Sequence, residues 1–334
     1  MAPTTAHTTA GLHTTEHTIA VDAPPSAVFA LVADVTLWPQ MFGPTVHVEV
    51  LEEDGGEQLL RIWALAHGQV RSWTSRRVLD ERAGTVSFRQ VVSAAPVASM
   101  GGEWRIGPGD HGGSRVVLLH DYRAVDDDPA SVQLIAEAVD RNSRSELDAL
   151  KRCAEAVPGV DGELRFTFSD SVDIAGDAAD VFAFLDRAGL WPRRLPHVAR
   201  LDLEEPEPGI QHLDMDTRAA DGSTHTTTSV RVCFAERNLI VYKQLRTPPV
   251  MSGHTGRWVI EPLPVPMDSD DAAPTVRATS WHTVTLDPEG VRQALGPQAS
   301  FAEARALVRK ALGTNSSRTL RHAREFAEAA RAGA

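Results

Sequence analysis

The stretch Trp73-Thr74-Ser75-Arg76-Arg77-Val78 is predicted to be a β-strand, and it has a counterpart in Thr227-Thr228-Ser229-Val230-Arg231-Val232. Both stretches end in Ser-x-Arg-Val, and because side chains alternate along a strand, the Ser and the Arg share one face. Two interpretations are open: each arginine faces an internal cavity, or it is an ordinary surface cation. The recurrence of the pattern favours the cavity.

These strands belong to a longer internal repeat. The shared features, in chain order, are the Leu-Trp-Pro steps at 37–39 and 190–192, the Ser-x-Arg-Val strands, Trp104 and Trp258, the strands with His120 and His282, and the Asn-Ser pairs at 142–143 and 315–316. A chain of 334 residues also corresponds to two domains at roughly 150 residues each. We therefore predict a disordered tail over 1–16, a first domain over 17–157, a linker over 158–167 and a second domain over 168–330.

Each copy predicts the same succession of elements. A strand and a short apolar helix come first, alternating segments with turn signals predict an antiparallel meander, and a long helix closes the copy, over 131–156 or 300–330. The predicted fold class is α+β, with two tandem helix-grip domains whose curved antiparallel sheets wrap around a long C-terminal helix. Because a strongly bent sheet does not close completely on its helix, we expect an internal cavity in each domain. We predict that residues 262–274 form an exposed hairpin loop.

Composition and charge exclude several classes of function. The net charge of −12 argues against a nucleic acid or an anionic membrane as partner, and no apolar run approaches the ~18 residues of a membrane-spanning helix. Cys153 and Cys233 form no disulfide framework or metal spacing, which suits a cytoplasmic location. The sequence has no phosphate-binding glycine loop, Ser-His-Asp signature or zinc spacing. We therefore expect chemistry without a cofactor or a metal.

Two kinds of side chain are candidates for acid–base chemistry. His120 and His282 lie on apolar strand faces, which is typical of packed core residues, but an ordinary pKa near ~6.5 also suits histidine to proton transfer. Glu146 falls on the apolar stripe of the first long helix, where a carboxylate is paired or has a raised pKa. The alternative is a slightly rotated helix with Glu146 at the rim. Its counterpart in the second copy is Thr319.

The Trp38-Pro39 step, the strand 73–78, Met100 followed by Trp104, and then His120 resemble the two-domain aromatase/cyclases of bacterial type II polyketide synthases. These proteins belong to the polyketide cyclase/dehydrase group and share the helix-grip fold of the START lipid carriers. The resemblance covers nearly all of the chain.

The resemblance implies a site in each copy. Arg77 would anchor or polarise a substrate carbonyl, with Ser75 beside it, and His120 and Glu146 would take part in the loss of water. The pocket-lining positions would be Trp38, Trp73, Met100 and Trp104. In the second copy the matching positions are Arg231 and His282 as catalytic residues and Trp191, Ser229 and Thr319 as lining residues, with Thr227 in place of Trp73. From the residues alone, Trp38 and Trp191 are better explained as core residues.

The resemblance also implies the reaction and its partners. The expected activity is first-ring aldol cyclisation of a poly-β-ketone, dehydration to an aromatic ring, or both, in the biosynthesis of aromatic polyketide antibiotics. The expected partners are an acyl carrier protein with a phosphopantetheine-tethered chain and other synthase subunits. Because such carriers are acidic, we expect a local basic rim at Arg193 and Arg194 or at Arg71 and Arg76.

Two alternatives remain open at this point. The first is a non-catalytic carrier of a hydrophobic small molecule, which would use the same cavity. The second is one catalytic copy beside a structural one, and the missing acid at Thr319 then favours the first copy as the dehydrating site.

Overall fold

The computed structural model describes residues 8–9, 11–66, 68–156, 163–218, 222–264 and 275–332. The chain divides into two compact units, Met1–Pro158 and Gly159–Ala334, which we call domain 1 and domain 2. In each unit an antiparallel sheet packs against one long C-terminal helix. The predicted α+β class and the tandem helix-grip architecture are therefore confirmed. None of the described helices combines the length and the apolarity that crossing a bilayer requires.

In its described residues, domain 1 consists of one antiparallel sheet and three α-helices. Its strands run in the spatial order β1-β2-β8-β7-β6-β5-β4-β3. They are β1 (Thr8–Thr9), β2 (Leu12–Val21), β3 (Thr45–Asp54), β4 (Glu57–Ala66), β5 (Gln69–Asp80), β6 (Thr85–Val92), β7 (Val97–Pro108) and β8 (Ser114–Ala124). The helices are α1 (Pro25–Ala33), α2 (Trp38–Met41) and the long α3 (Pro129–Ala154).

Domain 2 repeats this plan. Its strands run in the order β10-β11-β12-β13-β14-β15-β9, so that the first strand pairs with the last, as β2 pairs with β8. They are β9 (Arg165–Ala175), β10 (Val198–Glu207), β11 (Ile210–Arg218), β12 (Thr224–Phe234), β13 (Leu239–Arg246), β14 (Met251–Pro262) and β15 (Thr275–Leu286). The helices are α4 (Ala178–Asp186), α5 (Trp191–Arg194), α6 (Pro288–Leu295) and the long α7 (Phe301–Ala332).

The long helix of each domain buries one stripe against the sheet. On α3 the stripe includes Val139, Ser143, Leu147 and Leu150, whose spacing of three to four residues keeps them on one helical face. On α7 the corresponding stripe includes Val308, Leu320 and Ala323. Each long helix also contributes to the wall of a cavity, α3 through Glu146 and α7 through residues between Leu307 and Thr319.

The structure corrects two predicted boundaries. Residues 12–16, predicted within a disordered tail, belong to β2, where Thr15 pairs with His120 of β8. Few of these residues are apolar, so their strand conformation depends on the ladder with β8 rather than on their own propensity. Likewise, residues 165–167 of the predicted linker open β9 and pair with β15. The tail positions 1–7 and 10, the linker positions 158–162 and the loop positions 265–274 lie outside the described residues.

Candidate active sites in the two cavities

Each domain encloses a cavity between its sheet and its long helix. The cavity of domain 1 has a volume of about 120 Å³, and that of domain 2 has a volume of about 590 Å³. The wall of the smaller cavity includes every site residue predicted for the first copy, namely Trp38, Trp73, Ser75, Arg77, Met100, Trp104, His120 and Glu146. The wall of the larger cavity includes every one predicted for the second copy, namely Trp191, Ser229, Arg231, His282 and Thr319.

In domain 1 the two repeated motifs meet at the C-terminal end of α1. Arg77 Nη1 donates to the Val32 carbonyl (3.0 Å), Nη2 donates to the Ala33 carbonyl, and Nε donates to Gln58 Oε1 (2.7 Å). Trp38 Nε1 also donates to the Val32 carbonyl (3.2 Å), and the Arg77 guanidinium lies 5.3 Å from the centre of the Trp38 ring. Because the last carbonyls of a helix have no partner within it, Arg77 and Trp38 stabilise the end of α1.

Domain 2 uses the same construction on α4. Trp191 Nε1 donates to the Phe184 carbonyl (3.3 Å), and Arg231 Nη2 donates to the Leu185 carbonyl (2.9 Å). The Arg231 guanidinium lies 5.1 Å from the centre of the Trp191 ring. The recurrence of Leu-Trp-Pro and Ser-x-Arg-Val therefore has a structural cause, because both arginines hold a helix end while they line a cavity. Trp191 likewise belongs to the core and Trp38 packs against it, and each also lines the cavity of its domain.

The two arginines differ in the donors that remain free. Arg77 places three of its five N–H groups on protein acceptors. Nε and Nη1 of Arg231 are buried without a hydrogen-bond partner among the described residues. Gln58 and Gln211 occupy the same register opposite these arginines, but Gln211 Nε2 donates to the Asp186 carbonyl (3.1 Å). Since a buried donor without a partner costs free energy, Arg231 is the better prepared to bind a ligand oxygen.

His120 and Glu146 line the domain 1 cavity from β8 and α3. Burial, followed by the charge of His17, lowers the pKa of His120 to about 4. Burial raises the pKa of Glu146 to about 7. Glu146 is therefore divided between its acid and its carboxylate near neutral pH, which suits proton transfer. The Nδ1 of His120 is buried without a partner among the described residues, and its ring meets the edge of Phe88 at 5.4 Å.

His282 of domain 2 lies in a hydrogen-bonded set of side chains. Its Nδ1 is 2.9 Å from Tyr242 Oη and 3.0 Å from His254 Nε2, and its Nε2 is 3.1 Å from Ser280 Oγ. The rings of His254 and His282 stack with centres 5.3 Å apart. Burial is the main cause that lowers the pKa of His254 to about 3 and of His282 to about 4, and it raises the pKa of Tyr242. All three side chains are therefore neutral near pH 7.

Strand register identifies the counterparts of this set in domain 1. Tyr242 pairs with Arg231 as Phe88 pairs with Arg77. The glycines opposite the two histidines, Gly102 opposite His120 and Gly256 opposite His282, align β7 with β14 and β8 with β15. On this alignment the three exchanges from domain 1 to domain 2 are Phe88 to Tyr242, Met100 to His254, and Leu118 to Ser280.

Both glycines admit an aromatic ring beside the histidine. A Cβ at Gly256 would lie 2.3 Å from Tyr242 Oη, and a Cβ at Gly102 would lie 2.6 Å from the ring of Phe88. No real side chain tolerates such distances, so glycine is required wherever the ring crosses the neighbouring strand. The hydroxyl of Tyr242 reaches His282 only because of this opening.

Sequence reasoning did not find Tyr242, His254 or Gln58. Tyr242 is one of only two tyrosines in the chain, and it lines the larger cavity. A comparison of the two copies at fixed strand register would have found Tyr242 and His254, because they replace apolar residues at inward positions. It would not have found Gln58, whose counterpart Gln211 is the same residue type. Thr319 stands where Glu146 stands in domain 1, and its Oγ1 lies 3.4 Å from Nε2 of buried His197.

Two of the four arginines expected at a basic rim, Arg194 and Arg76, make contacts elsewhere. Arg194 packs against the rings of Phe184 and Phe326, at 5.2 and 4.7 Å from their centres, because its stem is partly buried there. Arg76 lies 3.5 Å from Glu57. Neither arginine lines a cavity. The cations on the wall of the larger cavity are instead Lys310 and Arg318 of α7, besides Arg231, and among the described residues this wall includes no acidic side chain.

Fold and site together define a class of protein: a tandem pair of helix-grip domains, each with an internal cavity that is lined by a buried arginine and a neutral histidine. The chain belongs to the family of polyketide cyclases and dehydrases and lipid-transport proteins, whose sequence profile matches residues 13–155 and 165–325.

Two relatives that align with nearly the whole chain are named as cyclase/dehydratases of polyketide synthases. The chain is 48% identical over 320 residues to the granaticin polyketide synthase bifunctional cyclase/dehydratase of Streptomyces violaceoruber, covering 96% of this chain and 95% of the relative. It is 43% identical over 324 residues to the actinorhodin polyketide synthase bifunctional cyclase/dehydratase of Streptomyces coelicolor, covering 94% and 96%.

Two solved structures share the whole architecture. The di-domain aromatase/cyclase BexL of the BE-7585A biosynthetic pathway is 49% identical, with a TM-score of 0.80 over 94% of this chain and 98% of that one. The di-domain aromatase/cyclase StfQ of the steffimycin biosynthetic pathway is 35% identical, with a TM-score of 0.77 over 96% and 99%.

Proposed function

We propose that this chain is a cofactor-independent polyketide cyclase/dehydratase that closes the first ring of a carrier-bound poly-β-ketone by an aldol reaction and takes part in its aromatisation. The observation that carries the proposal is the wall of the domain 1 cavity, which combines the buried Arg77 cation, neutral His120 and Glu146. The names of the two-domain relatives support the same reaction class.

The chemistry of ring closure fits these three side chains. An aldol reaction removes a proton from a methylene group between carbonyls and delivers a proton to the oxygen of the attacked ketone. Glu146, with a pKa raised to about 7, can accept the first proton, and an acid of matched pKa is efficient in such transfers. We assign His120 to the delivery of the second. The fixed charge of Arg77, with Ser75 beside it on β5, favours the developing negative oxygen.

The two cavity volumes suit different parts of the task. A cavity of about 150 Å³ holds one benzene ring, so the 120 Å³ of domain 1 matches the segment of chain that becomes a single ring. Pockets for larger organic ligands measure about 300–1,000 Å³, and the 590 Å³ of domain 2 matches a molecule of several fused rings or a long folded chain. Confinement of a flexible chain contributes to the rate by holding the reacting carbons close.

The partner in this proposal is an acyl carrier protein among the subunits of a type II polyketide synthase, in the cytoplasm. Lys310 is exposed and Arg318 is half-buried on the cavity-facing side of α7. They supply local positive charge on a chain whose net charge is −12. A phosphopantetheine arm carries a phosphate, and local charges steer such ligands even when the net charge opposes them.

Reconstitution tests the proposal. A minimal type II polyketide synthase, with and without its ketoreductase, is incubated with and without this protein, and the products are identified by mass spectrometry and NMR. We expect one ring-closed aromatic product to replace a mixture of spontaneously cyclised ones. An unchanged mixture, together with tight binding of the synthase's products, would instead identify a carrier of hydrophobic small molecules.

A further inference from the structure

We propose that domain 2 contains a second acid–base centre, in which Tyr242 is the general acid, His254 is the general base, and Nδ1 of His282 passes a proton between them. Its substrate class is a ring-closed β-hydroxy ketone, from which it eliminates water. This inference rests on the proposed function, because it assigns the dehydration to the domain 2 cavity and leaves ring closure to domain 1.

The geometry that supports the relay is the sharing of one nitrogen. Tyr242 Oη and His254 Nε2 lie 2.9 and 3.0 Å from the same atom, Nδ1 of His282. Both distances are those of good hydrogen bonds. A proton that arrives at Nδ1 from His254 can therefore leave it toward Tyr242 without any movement of the rings. The other nitrogen of His282, Nε2, is held by Ser280 Oγ at 3.1 Å, which fixes the orientation of the imidazole.

The end of the relay at Nδ1 of His254 indicates a ligand-binding position. Nδ1 of His254 is buried without a partner among the described residues, and the whole residue is only 3% exposed. Nε and Nη1 of Arg231 are buried without a partner in the same wall. Buried polar atoms are nearly always hydrogen-bonded, so these three atoms mark a place for a polar molecule. Since Arg231 and Tyr242 are direct partners across β12 and β13, one ligand can meet both.

The elimination balances in protons and electrons. His254 Nδ1 accepts the proton from the carbon next to the ketone, and the C–H electron pair forms the new C=C bond. The C–O bond to the neighbouring carbon breaks, and the departing hydroxide takes the proton of Tyr242 to become water. His254 Nε2–H then gives its proton to His282 Nδ1, which transfers a proton to the tyrosinate oxygen. Tyr242 returns to its phenol form, and His254 becomes neutral again as its Nδ1–H tautomer. It regains the Nε2–H form by proton exchange with water before the next turnover. Arg231 stabilises the negative charge that develops on the ketone oxygen.

Burial sets the resting state of this cycle, and it also makes His254 a weaker base and Tyr242 a weaker acid. The lowered pKa of His254 and His282 and the raised pKa of Tyr242 keep all three neutral between turnovers. Domain 1 has no equivalent set at these positions, where it carries Phe88, Met100 and Leu118. Domain 1 therefore indicates which residues to introduce into domain 2, because the same fold already accommodates them at the matching positions.

The test uses the full-length enzyme in the reconstituted synthase. The variants Tyr242→Phe and His254→Met introduce the residues of domain 1 at the matching positions. We expect the first ring to form normally, and a ring-closed compound that retains its hydroxyl group to accumulate, with water loss slowed at least ~100-fold. The double variant should be no slower than either single variant, because members of one unit are not additive. Thr283→Val, next to His282 but bonded to Thr167 on the opposite face, is the control with unchanged dehydration.

A structural role is separated from a catalytic one by ligand binding. The probe is 1,8-dihydroxyanthraquinone, whose dissociation constant should change less than ~3-fold in Tyr242→Phe while turnover falls. If His254→Met fails to fold, His254→Gln keeps a polar side chain that cannot relay a proton, and it should show the same loss. Aromatic product formed at the wild-type rate in Tyr242→Phe or in a folded His254 variant would overturn the relay and leave the proposed function intact. A wild-type enzyme that forms no ring would overturn both.

Discussion

Domain 1 and domain 2 each carry an arginine and a histidine at matching positions of their sheets, yet the surroundings of these side chains differ. In domain 1 Arg77 donates hydrogen bonds to Gln58 and to the end of α1, and the ring of His120 meets that of Phe88. In domain 2 Arg231 keeps two buried donors, and His282 is bonded to Tyr242 and His254. Duplication has thus preserved the framework and changed the proton chemistry, which is the expected outcome if the two cavities handle successive steps.

The largest expected effect tests whether Arg77 is mainly structural. Arg77→Ala leaves the Ala33 carbonyl and Gln58 Oε1 without their donor, and we expect a loss of about 3 kcal/mol in the free energy of unfolding. Arg231→Ala should cost less, because it donates to one helix carbonyl, that of Leu185. Guanidinium chloride unfolding of the full chain measures both. Arg76→Ala, on the exposed face of the same strand, is the control within about 0.5 kcal/mol, and equal losses at 76 and 77 would contradict the assignment.

The second prediction concerns the acid that only domain 1 has. Glu146→Gln removes the titrating group from its cavity, and we expect ring closure to slow by about 100-fold. Because this variant acts before dehydration, uncyclised or wrongly cyclised products should accumulate, unlike the hydroxylated ring expected from Tyr242→Phe. Product ratios from the reconstituted synthase are the measurement. Asp148→Asn, an exposed acid on the same helix, should behave as wild type, and a similar product mixture from Glu146→Gln and Tyr242→Phe would remove the proposed division between the domains.

A third, smaller effect follows from the cavity volumes. The three fused rings of 1,8-dihydroxyanthraquinone fit the larger cavity, so its binding should quench Trp191 and Trp258, which line that cavity. Quenching should decrease in Trp258→Phe and persist in Trp104→Phe, whose site is in domain 1. Arg231→Ala should raise the dissociation constant about tenfold, the equivalent of one hydrogen bond to a charged group. If quenching were lost in Trp104→Phe alone, the ligand would bind in the cavity of domain 1 and not in that of domain 2.

The smallest effect is the pH dependence that Glu146 gives to stability. Its pKa rises from 4.5 in the unfolded chain to about 7 in the fold, so the folded state binds the proton more tightly and stability falls as pH rises through this window. His120, with its pKa lowered to about 4, acts in the opposite direction. The difference between wild type and Glu146→Gln isolates the first effect, and about 1 kcal/mol is expected between pH 4 and pH 8 because water screens part of the side chain. Parallel stability curves would show that Glu146 is not desolvated.

Much of this architecture is predictable from the sequence because its signals are periodic and local. The repeat, the alternating strands and the apolar stripe of α3 depend on side-chain spacing alone, and the stripe brings Glu146 to the cavity wall with Val139 and Leu150. The start of β2 at Leu12 was missed because its conformation depends on β8, more than a hundred residues away in the chain. The composition of a strand does not indicate a pairing partner that is so distant in the chain.

The roles of individual side chains were harder to predict for the same reason. That Arg77 reaches the carbonyls of α1 is a property of how the helix packs on β5, and the repeated motif indicated only that the position matters. The relay residues Tyr242 and His254 sit on β13 and β14 and meet His282 on β15. Their contact depends on strand register and on the opening at Gly256. Neither is visible until the strands are aligned side by side.

The attachment of Arg231 to α4 couples occupancy of the larger cavity to the order of a helix terminus. Nη2 already holds the Leu185 carbonyl, while Nε and Nη1 await an acceptor. A bound oxygen that satisfies them restrains the same guanidinium from a second side, so the filled state resists fraying of the last turn of α4. Ligand and helix end thereby share one anchor, and amide protons near Asp186 would exchange with solvent more slowly when the hollow is full than when it is empty.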